Sequence, residues 1–188
     1  MEGGFASVSH RTVAARAGLP LSATTSYFTS LDDLLEGTVQ DLAEKWLADA
    51  RTVVALLPER LDAPGQLADA LLRVAALAPA GGTGADTAIL LSLYDRYVEA
   101  ARHPRLRPVI AEYDAKIEAL LAEVLHRSSL HSNISPGSAV LDQADTARLV
   151  LAVIDGALLR ALAEGAEPWS VTGPLRDLLC VMSGPQPS

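Results

Sequence analysis

The sequence predicts an all-α protein, and three features of its composition support that fold class. Hydrophobic residues make up 49% of the 188 residues, whereas aromatic residues make up only 4%. Alanine and leucine are abundant, glycine and proline gather in short clusters, and β-branched residues seldom alternate with polar ones. This combination favours packed helices over sandwiches, barrels and doubly wound sheets. The apolar content suffices for the core of one domain or of two closely joined ones.

Helical periodicity and stop signals place the elements in order along the chain. Two short helices are separated by Gly18-Leu19-Pro20, and a long third helix ends before Pro58. Ser9 and Ser30 are the predicted N-caps of the first and third helices, because a hydroxyl there can accept from a first-turn N–H. The predicted helices cover about residues 10–17, 21–28, 31–57, 64–78, 86–102, 105–128, 142–164 and 174–182. Residues 79–84 and the polar segment 128–138 are predicted loops.

Charge is distributed unevenly along the chain. Lysine and arginine number 15 against 23 aspartates and glutamates, which gives a net charge of −8. Residues 1–30 depart from this balance, since Arg11 and Arg16 outnumber Glu2 there. A slightly basic end on an acidic body favours a nucleic-acid-binding unit attached to another domain, although a short segment can also lack acids by chance.

Two sequence features bear on where the protein is located. The single cysteine, Cys180, cannot form an intramolecular disulfide, and no signal-peptide pattern opens the sequence. The most apolar stretch, residues 149–163, contains Asp155 and Arg160, and so falls short of the ~20 apolar residues that a bilayer crossing needs. We therefore expect a cytoplasmic protein that does not enter a membrane.

Residues 9–28 have the proportions of a helix-turn-helix. Val13, Ala14 and Ala17 give the first helix a small apolar face that lets a second helix approach closely. Gly18 supplies the left-handed residue that turns the chain, and we expect Leu19 to anchor the turn in the core. The second helix presents short hydroxyl and methyl side chains, which suit phosphate oxygens and thymine methyl groups in a major groove.

The stretch from Gly3 to Leu35 resembles the DNA-binding region of the tetracycline-repressor (TetR) family of bacterial transcription regulators. The matching residues are, in order, Gly4-Phe5, Ser9, Val13-Ala14, Ala17-Gly18-Leu19, Tyr27-Phe28 and Ser30-Leu31-Asp32-Asp33-Leu34. Residues 149–162 are similar to the penultimate helix of many members. Three positions depart from the family pattern: Thr25 often holds an aromatic residue, Ser22 a glycine and Leu31 a lysine.

The resemblance implies a set of DNA contacts. Ser9 and Tyr27 become candidate phosphate ligands, Arg11 and Thr12 lie at the groove-facing start of the first helix, and residues 21–26 form the surface that reads the bases. The candidate DNA-binding residues are Ser9, His10, Arg11, Thr12, Leu21, Ser22, Ala23, Thr25, Ser26 and Tyr27. Each has a structural alternative when taken alone: Tyr27 can be a boundary aromatic, Ser9 only a cap and Arg11 a solvated charge.

The resemblance also implies a division of the chain. We expect a helix-turn-helix region at residues 1–45 and a helical ligand-binding and dimerisation domain at 46–188. In the family a further helix precedes the helix-turn-helix and packs across it. Only residues 1–7 precede Val8, and Gly3 and Gly4 disfavour a helix there. We therefore expect that most of this first helix is missing.

Residues 142–164 are apolar on nearly all sides, and residues 109–125 carry a second apolar stripe. A helix that is apolar on both sides is buried on both sides. We therefore expect a homodimer through the helices at 105–128 and 142–164, with the two-fold symmetry that a palindromic operator requires. The alternative is that both helices fill the core of a monomer.

A ligand pocket is predicted from polar and aromatic groups that interrupt apolar helix faces. Tyrosine hydroxyl groups can orient a ligand in an apolar cavity, although tyrosines more often lie at the edge of a core. The candidate ligand-binding residues are Trp46, Tyr94, Asp95, Tyr97 and Asp155.

Enzymatic activity is not expected, because the sequence lacks a nucleophile elbow, a phosphate-binding loop and a dinucleotide fingerprint. The four histidines, His10, His103, His126 and His131, lack metal-ligand spacing, so neither a metal nor a cofactor is expected. The leading hypothesis is a ligand-responsive dimeric repressor that binds a palindromic double-stranded DNA operator and a small-molecule effector. A dimeric helical ligand-binding or interaction module with weakened or lost DNA binding is the alternative. An enzyme that uses Asp95 or Asp155 is a third, less favoured hypothesis.

Overall fold

A computed structural model describes residues 8–78, 86–128 and 142–182. The regular structure of these residues is entirely helical, which confirms the all-α prediction. The α-helices are α1 (His10–Ala17), α2 (Leu21–Tyr27), α3 (Leu31–Leu56), α4 (Pro64–Ala75), α5 (Thr87–Arg102), α6 (Arg107–His126), α7 (Gln143–Glu164) and α8 (Thr172–Met182). Short 3₁₀ turns at Pro104–Leu106 and Pro168–Val171 precede α6 and α8.

The helix boundaries agree with the predicted ones to within three residues. The largest difference is at α4, which ends at Ala75 because Leu77 adopts a left-handed conformation with φ of 53°. The predicted loop at 79–84 and most of the one at 128–138 lie outside the described residues, as do residues 1–7, where we expected the remnant of a first helix. None of the helices within the described ranges is long and apolar enough to span a membrane.

The chain forms two compact units. The first unit contains residues of the ranges 1–46 and 88–114, and the second contains residues of 47–87 and 115–188. The predicted division into a helix-turn-helix region at 1–45 and a ligand-binding and dimerisation domain at 46–188 assigns functions to these regions and stays a prediction.

The core of the first unit joins the start of α3 to the end of α5. Leu35 and Val39 of α3 are buried against Ala100, Leu106 and Ile110. Partly buried apolar side chains surround this cluster, namely Val8, Leu42, Tyr97 and Val109. This cluster holds the first turns of α3, the helix that follows α2, against the end of α5 and the start of α6.

The second unit is built around α4, whose main partner is α8. Leu67, Leu71 and Leu72 on α4 are almost completely buried, as the amphipathic period of that helix predicts. Arg127 at the end of α6 donates to the carbonyl oxygens of Val54 (3.1 Å) and Leu57 (3.2 Å). The last carbonyl groups of a helix have no partner within that helix, so Arg127 satisfies groups that would otherwise need water.

One face of α7 is buried and the other is exposed. Ile154 and Leu158 have no exposed surface, whereas Leu149, Val153 and Leu159 are each 42–51% exposed. The apolar stripe of α6 differs, because most of its members are buried within the chain itself, and Val109 and Leu120 are half-buried. The buried members are Ile110, Tyr113, Ile117, Leu121, Val124 and Leu125. Of these two helices, it is α7 that carries exposed large apolar side chains, and a dimer through α6 and α7 stays a prediction.

The turn between α1 and α2 depends on Gly18, whose φ of 66° lies in the left-handed region. A Cβ atom at this position would meet no atom within 4 Å, so a substitution tests the backbone conformation alone. We expect Gly18→Ala to lower the free energy of unfolding by about 1 kcal/mol and Gly18→Asn to lower it less, because asparagine tolerates this conformation better. Chemical denaturation measures both, and equal stability of Gly18→Ala and the unmodified chain would contradict the assigned turn.

Candidate DNA-binding surface and ligand site

The first helix begins with a capping box. The Ser9 hydroxyl accepts from the backbone N–H of Thr12 (3.1 Å), and the backbone N–H of Ser9 donates to the Thr12 hydroxyl (2.9 Å). Two N–H groups that helix formation leaves without partners are thereby satisfied. The predicted cap is confirmed, and a phosphate contact by Ser9 stays a prediction.

Ala14 and Thr24 fix the packing of α1 against α2. Of the apolar face predicted for α1, Ala14 is 3% exposed and Val13 is half-buried, whereas Ala17 is exposed, contrary to the prediction. The Thr24 hydroxyl donates to the carbonyl oxygens of Leu21 (2.9 Å) and His10 (3.3 Å), and so ties α2 to the first residue of α1. Sequence reasoning missed Thr24, because nothing in the pattern distinguishes this threonine from its exposed neighbour Thr25.

The expectation that Leu19 anchors the turn in the core is wrong, because its side chain is 52% exposed. Backbone hydrogen bonds hold the turn instead. The N–H of Leu19 donates to the carbonyl oxygen of Ala14 at 2.9 Å, while Gly18 supplies the left-handed conformation. This is the usual way in which a glycine-terminated helix closes.

We call the predicted base-reading residues of α2 the reading surface: Leu21, Ser22, Ala23, Thr25 and Ser26. All except the half-buried Ala23 are exposed. The hydroxyl groups of Thr25 and Ser26 donate back to carbonyl oxygens of their own helix, so in this arrangement these hydroxyl groups can act toward a partner only as acceptors.

Tyr27 ends α2 and is 81% exposed, an unusually large exposed area for an aromatic side chain. The next residue, Phe28, points inward, with its ring against Gly37 of α3. A Cβ atom on Gly37 would lie 3.0 Å from Cε1 of Phe28. The end of α2 therefore packs one aromatic ring against α3 and presents the other to solvent.

The electrostatics of this region suit an anionic partner. Residues 8–31 contain the exposed Arg11 and Arg16 and no carboxylate. His10 is half-buried and Thr12 is exposed. The first carboxylates after this segment are Asp32 and Asp33 in the first turn of α3, where the positive end of the helix dipole stabilises their negative charge.

A second candidate site surrounds Arg96 of α5. The guanidinium carbon of Arg96 lies 4.3 Å from the ring centre of Tyr97, 4.7 Å from that of Tyr113 and 6.0 Å from that of Trp46. We call these three rings the aromatic cage. The Trp46 and Tyr113 rings meet edge to face, at 6.1 Å and an interplanar angle of 70°.

Asp114 completes this arrangement. One of its carboxylate oxygens accepts from Nη2 of Arg96 (3.2 Å) and from the Tyr97 hydroxyl (3.0 Å). Arg96 also donates to the carbonyl oxygen of Leu93. An arginine that is 4% exposed thus pairs with one carboxylate and packs against three aromatic rings.

The structure brings two of the predicted ligand-binding residues, Trp46 and Tyr97, together around Arg96. Tyr94 is buried on α5, Asp95 on the same helix is exposed, and Asp155 is half-buried in the second unit. Sequence reasoning missed Arg96, Tyr113 and Asp114 as members of the site. The only local indication in the sequence was Arg96 itself, a charged residue directly before the candidate Tyr97.

A small cavity of about 140 Å³ lies at the start of α3. His103 faces two carboxylates there, with Nδ1 3.5 Å from Asp32 and Nε2 3.4 Å from Glu99. Ligand pockets usually exceed about 300 Å³, so this cavity is too small for an effector of ordinary size. No cluster of metal-binding side chains occurs in the described part of the chain.

Comparison with protein families and with solved structures shows what this chain is similar to. The family model of the tetracyclin repressor-like C-terminal domain matches residues 62–184. No curated protein sequence matches the chain.

The crystal structure of the multidrug binding protein EbrR complexed with proflavin is similar over 96% of this chain and 91% of that chain, with 31% identity and a TM-score of 0.68. The crystal structure of EbrR complexed with ethidium is similar over 96% of this chain and 90% of that chain, with 31% identity and a TM-score of 0.67. SCO1917, a TetR-family member from Streptomyces coelicolor A3, is similar over 96% of this chain and 89% of that chain, with 31% identity and a TM-score of 0.62. The chain therefore belongs to the tetracycline-repressor family of transcription regulators.

Proposed function

We propose that the protein is a dimeric cytoplasmic repressor that binds a palindromic double-stranded DNA operator and releases it when a small-molecule effector binds. The observation that carries this proposal is the exposed, carboxylate-free surface of α1 and α2. A helix that presents short hydroxyl and methyl groups next to exposed arginines suits the major groove and its flanking phosphates. The exposed Tyr27 lies where a phosphate ligand is expected.

Dimerisation through α7 supports operator binding, since two reading surfaces related by a two-fold axis match the two halves of a palindrome. The exposed side chains of Leu149 and Val153 lie on one face of this helix, with Leu159 at its edge, and the exposed Arg160 follows on the same face one turn beyond Gly156. A Cβ atom added to Gly156 on the same face would meet no atom within 4 Å, which leaves room for a close helix–helix contact.

An effector site is supported by two observations. The aromatic cage provides aromatic surface beside a carboxylate, a combination found in small-molecule sites. In addition, EbrR has been crystallised with proflavin and with ethidium. A non-enzymatic, ligand-responsive role fits both.

The alternative function is a dimeric ligand-binding module with weakened DNA binding. It is favoured by Leu31, which is 43% exposed at a position where the family commonly has a lysine. A mobility-shift experiment on DNA from either side of the coding region separates the two functions. A salt-sensitive shift of one palindromic fragment supports the repressor, because each phosphate contact releases counterions. Equal or absent shifts on all fragments support the alternative.

Two substitutions distinguish base contacts from phosphate contacts. If Arg11 contacts a base edge, we expect Arg11→Ala to weaken operator binding by about 1–3 kcal/mol and to relax sequence preference. Tyr27→Phe should weaken all sequences together, because it removes only a phosphate contact. Fluorescence anisotropy with specific and scrambled duplexes measures both effects, and Arg51→Ala, an exposed arginine of α3, is the control. Unchanged affinity in both variants would contradict these two assignments.

A further inference from the structure

We propose that the junction between α5 and α6 is an additional DNA-binding element, in which Arg105 contacts a phosphate group of the DNA backbone beside the helix-turn-helix. We call residues 102–107 the basic segment, because they contain three arginines and His103. The inference rests on the proposed function, since it adds a backbone contact to the complex with DNA. The basic segment lies in the first unit, as do α1 and α2.

The basic segment concentrates positive charge in an acidic chain. The net charge of the chain is −8, yet residues 100–111 contain three arginines and no carboxylate. All three, Arg102, Arg105 and Arg107, are exposed. A guanidinium group presents several N–H donors in one plane, and this arrangement matches the oxygen atoms of a phosphate group. The segment therefore has the charge and the donors that a polyanion requires.

Two of the three arginines have roles within the chain, and the third does not. Arg102 donates to the carboxylate of Glu99 (2.9 Å), and Nε of Arg107 donates to the carbonyl oxygen of Ala100 near the end of α5 (3.2 Å). Within the described ranges, no hydrogen bond or ion pair engages the guanidinium group of Arg105. Its N–H donors are available to a partner, so Arg105 is the residue that we assign to the phosphate contact.

The apolar cluster of the first unit places the basic segment near the start of α1. Leu106 lies between Arg105 and Arg107, is 1% exposed and belongs to the same cluster as Leu35 of α3. Val8, two residues before α1, packs against this cluster. The exposed arginines on either side of Leu106 therefore lie close to the start of α1 and extend its carboxylate-free surface.

His103 joins the basic segment to the start of α3. Its Nδ1 lies 3.5 Å from Asp32 in the first turn of α3, and its Nε2 lies 3.4 Å from Glu99. The imidazole thus lies between two carboxylates beside the segment, and Glu99 also pairs with Arg102. Both carboxylates have partners within the chain, whereas the exposed Arg105 has none among the described residues.

A DNA backbone suits this surface better than a free anion. A single exposed arginine holds a small anion only weakly, because the attraction is screened by water and salt. When α1 and α2 bind DNA, neighbouring phosphates are held near the basic segment, and the local concentration of phosphate becomes high without further cost. The contact carries no sequence information, since phosphate groups are the same in every sequence.

The contact predicts a uniform loss of affinity in Arg105→Gln. We expect this variant to bind operator and scrambled duplexes more weakly by the same factor, roughly tenfold at ~0.1 M salt, because a charged hydrogen bond is lost. The slope of log affinity against log salt concentration should decrease in magnitude by about 0.9, the value for one phosphate contact. Fluorescence anisotropy of labelled duplexes over a series of salt concentrations measures both quantities.

Two further variants control for net charge and for chemistry. Arg51→Gln removes the same charge from an exposed position of α3 in the second unit and should leave the salt slope unchanged. Arg105→Lys keeps the positive charge and should retain most of the slope, since lysine also binds phosphate. Thermal denaturation should give equal melting temperatures for all variants, because Arg105 and Arg51 are exposed.

Two results overturn the proposal. The first is an affinity and a salt slope in Arg105→Gln that match those of Arg51→Gln. The second is a loss confined to the operator duplex, since a base contact rather than a phosphate contact would give that result.

The outcome is separable from that of the proposed function. A salt-sensitive operator shift together with an unchanged slope in Arg105→Gln rejects the basic segment and retains the repressor. Equal binding to operator and scrambled duplexes, with the expected loss of slope in Arg105→Gln, retains the phosphate contact and rejects operator recognition. Absence of binding to every duplex by the unmodified chain rejects both.

Discussion

Replacing Ala157 with glutamate should convert the proposed dimer into monomers at micromolar concentration. Ala157 follows Leu149 and Val153 at intervals of four residues, so it continues their stripe along α7, where it is half-buried. An unpaired charge buried at an interface costs about 3–5 kcal/mol, and two-fold symmetry introduces it twice. The dissociation constant of the dimer should therefore rise by about 10⁴-fold or more.

Sedimentation equilibrium measures this change directly. Ala48→Glu places the same charge on an exposed position of α3 and should leave the dimer intact. Ala119→Glu, on an exposed position of α6 opposite its apolar stripe, tests whether the exposed face of that helix contributes to the interface. A dimer that survives Ala157→Glu rules out the α7 interface, and a monomeric unmodified chain rules out the dimer.

Replacing Gly37 with valine should weaken operator binding by about tenfold or more, although the same change favours the helix that contains it. A Cβ atom there already lies 3.0 Å from the Phe28 ring, and valine adds two methyl groups in the same space. Overpacking of this kind costs about 1–3 kcal/mol, and relief requires Phe28 to move together with the end of α2. Tyr27 and the reading surface then lose their orientation.

Removal of the opposing bulk provides the control for this prediction. Phe28→Leu in the Gly37→Val background should recover part of the operator affinity, because the smaller side chain makes room for valine. Dimer dissociation should be unaffected by either change. If Gly37→Val binds the operator normally, contact between Phe28 and α3 does not position the reading surface.

The helices were predictable because the signals that define them are local. The apolar period of α4, the Ser9 cap and the glycine turn at Gly18 all depend on residues within a few positions of one another. The turn shows where such reasoning fails. Leu19 is apolar and adjacent to the turn, yet it is exposed, because backbone geometry alone closes the helix.

Contacts between distant residues were only partly predictable. Trp46 and Tyr97 were selected separately as candidates, but their meeting around Arg96 depends on tertiary packing that no local pattern reports. The apolar stripe of α6 is a related case. Periodicity shows that Ile117 and Leu121 need burial but cannot tell whether their own chain or a second copy supplies it, and here their own chain does.

The aromatic cage also gives the protein an optical reporter. Trp46 is one of only two tryptophans, and its indole lies in a nearly dry site beside a positive charge. The emission wavelength of an indole depends on the electric field along its ring and on contact with water. With Trp169 replaced by phenylalanine, the emission spectrum of the chain would come from Trp46 alone. Movement of the Arg96 guanidinium away from the indole, or entry of water in its place, would then shift the emission maximum of Trp46 without any added label.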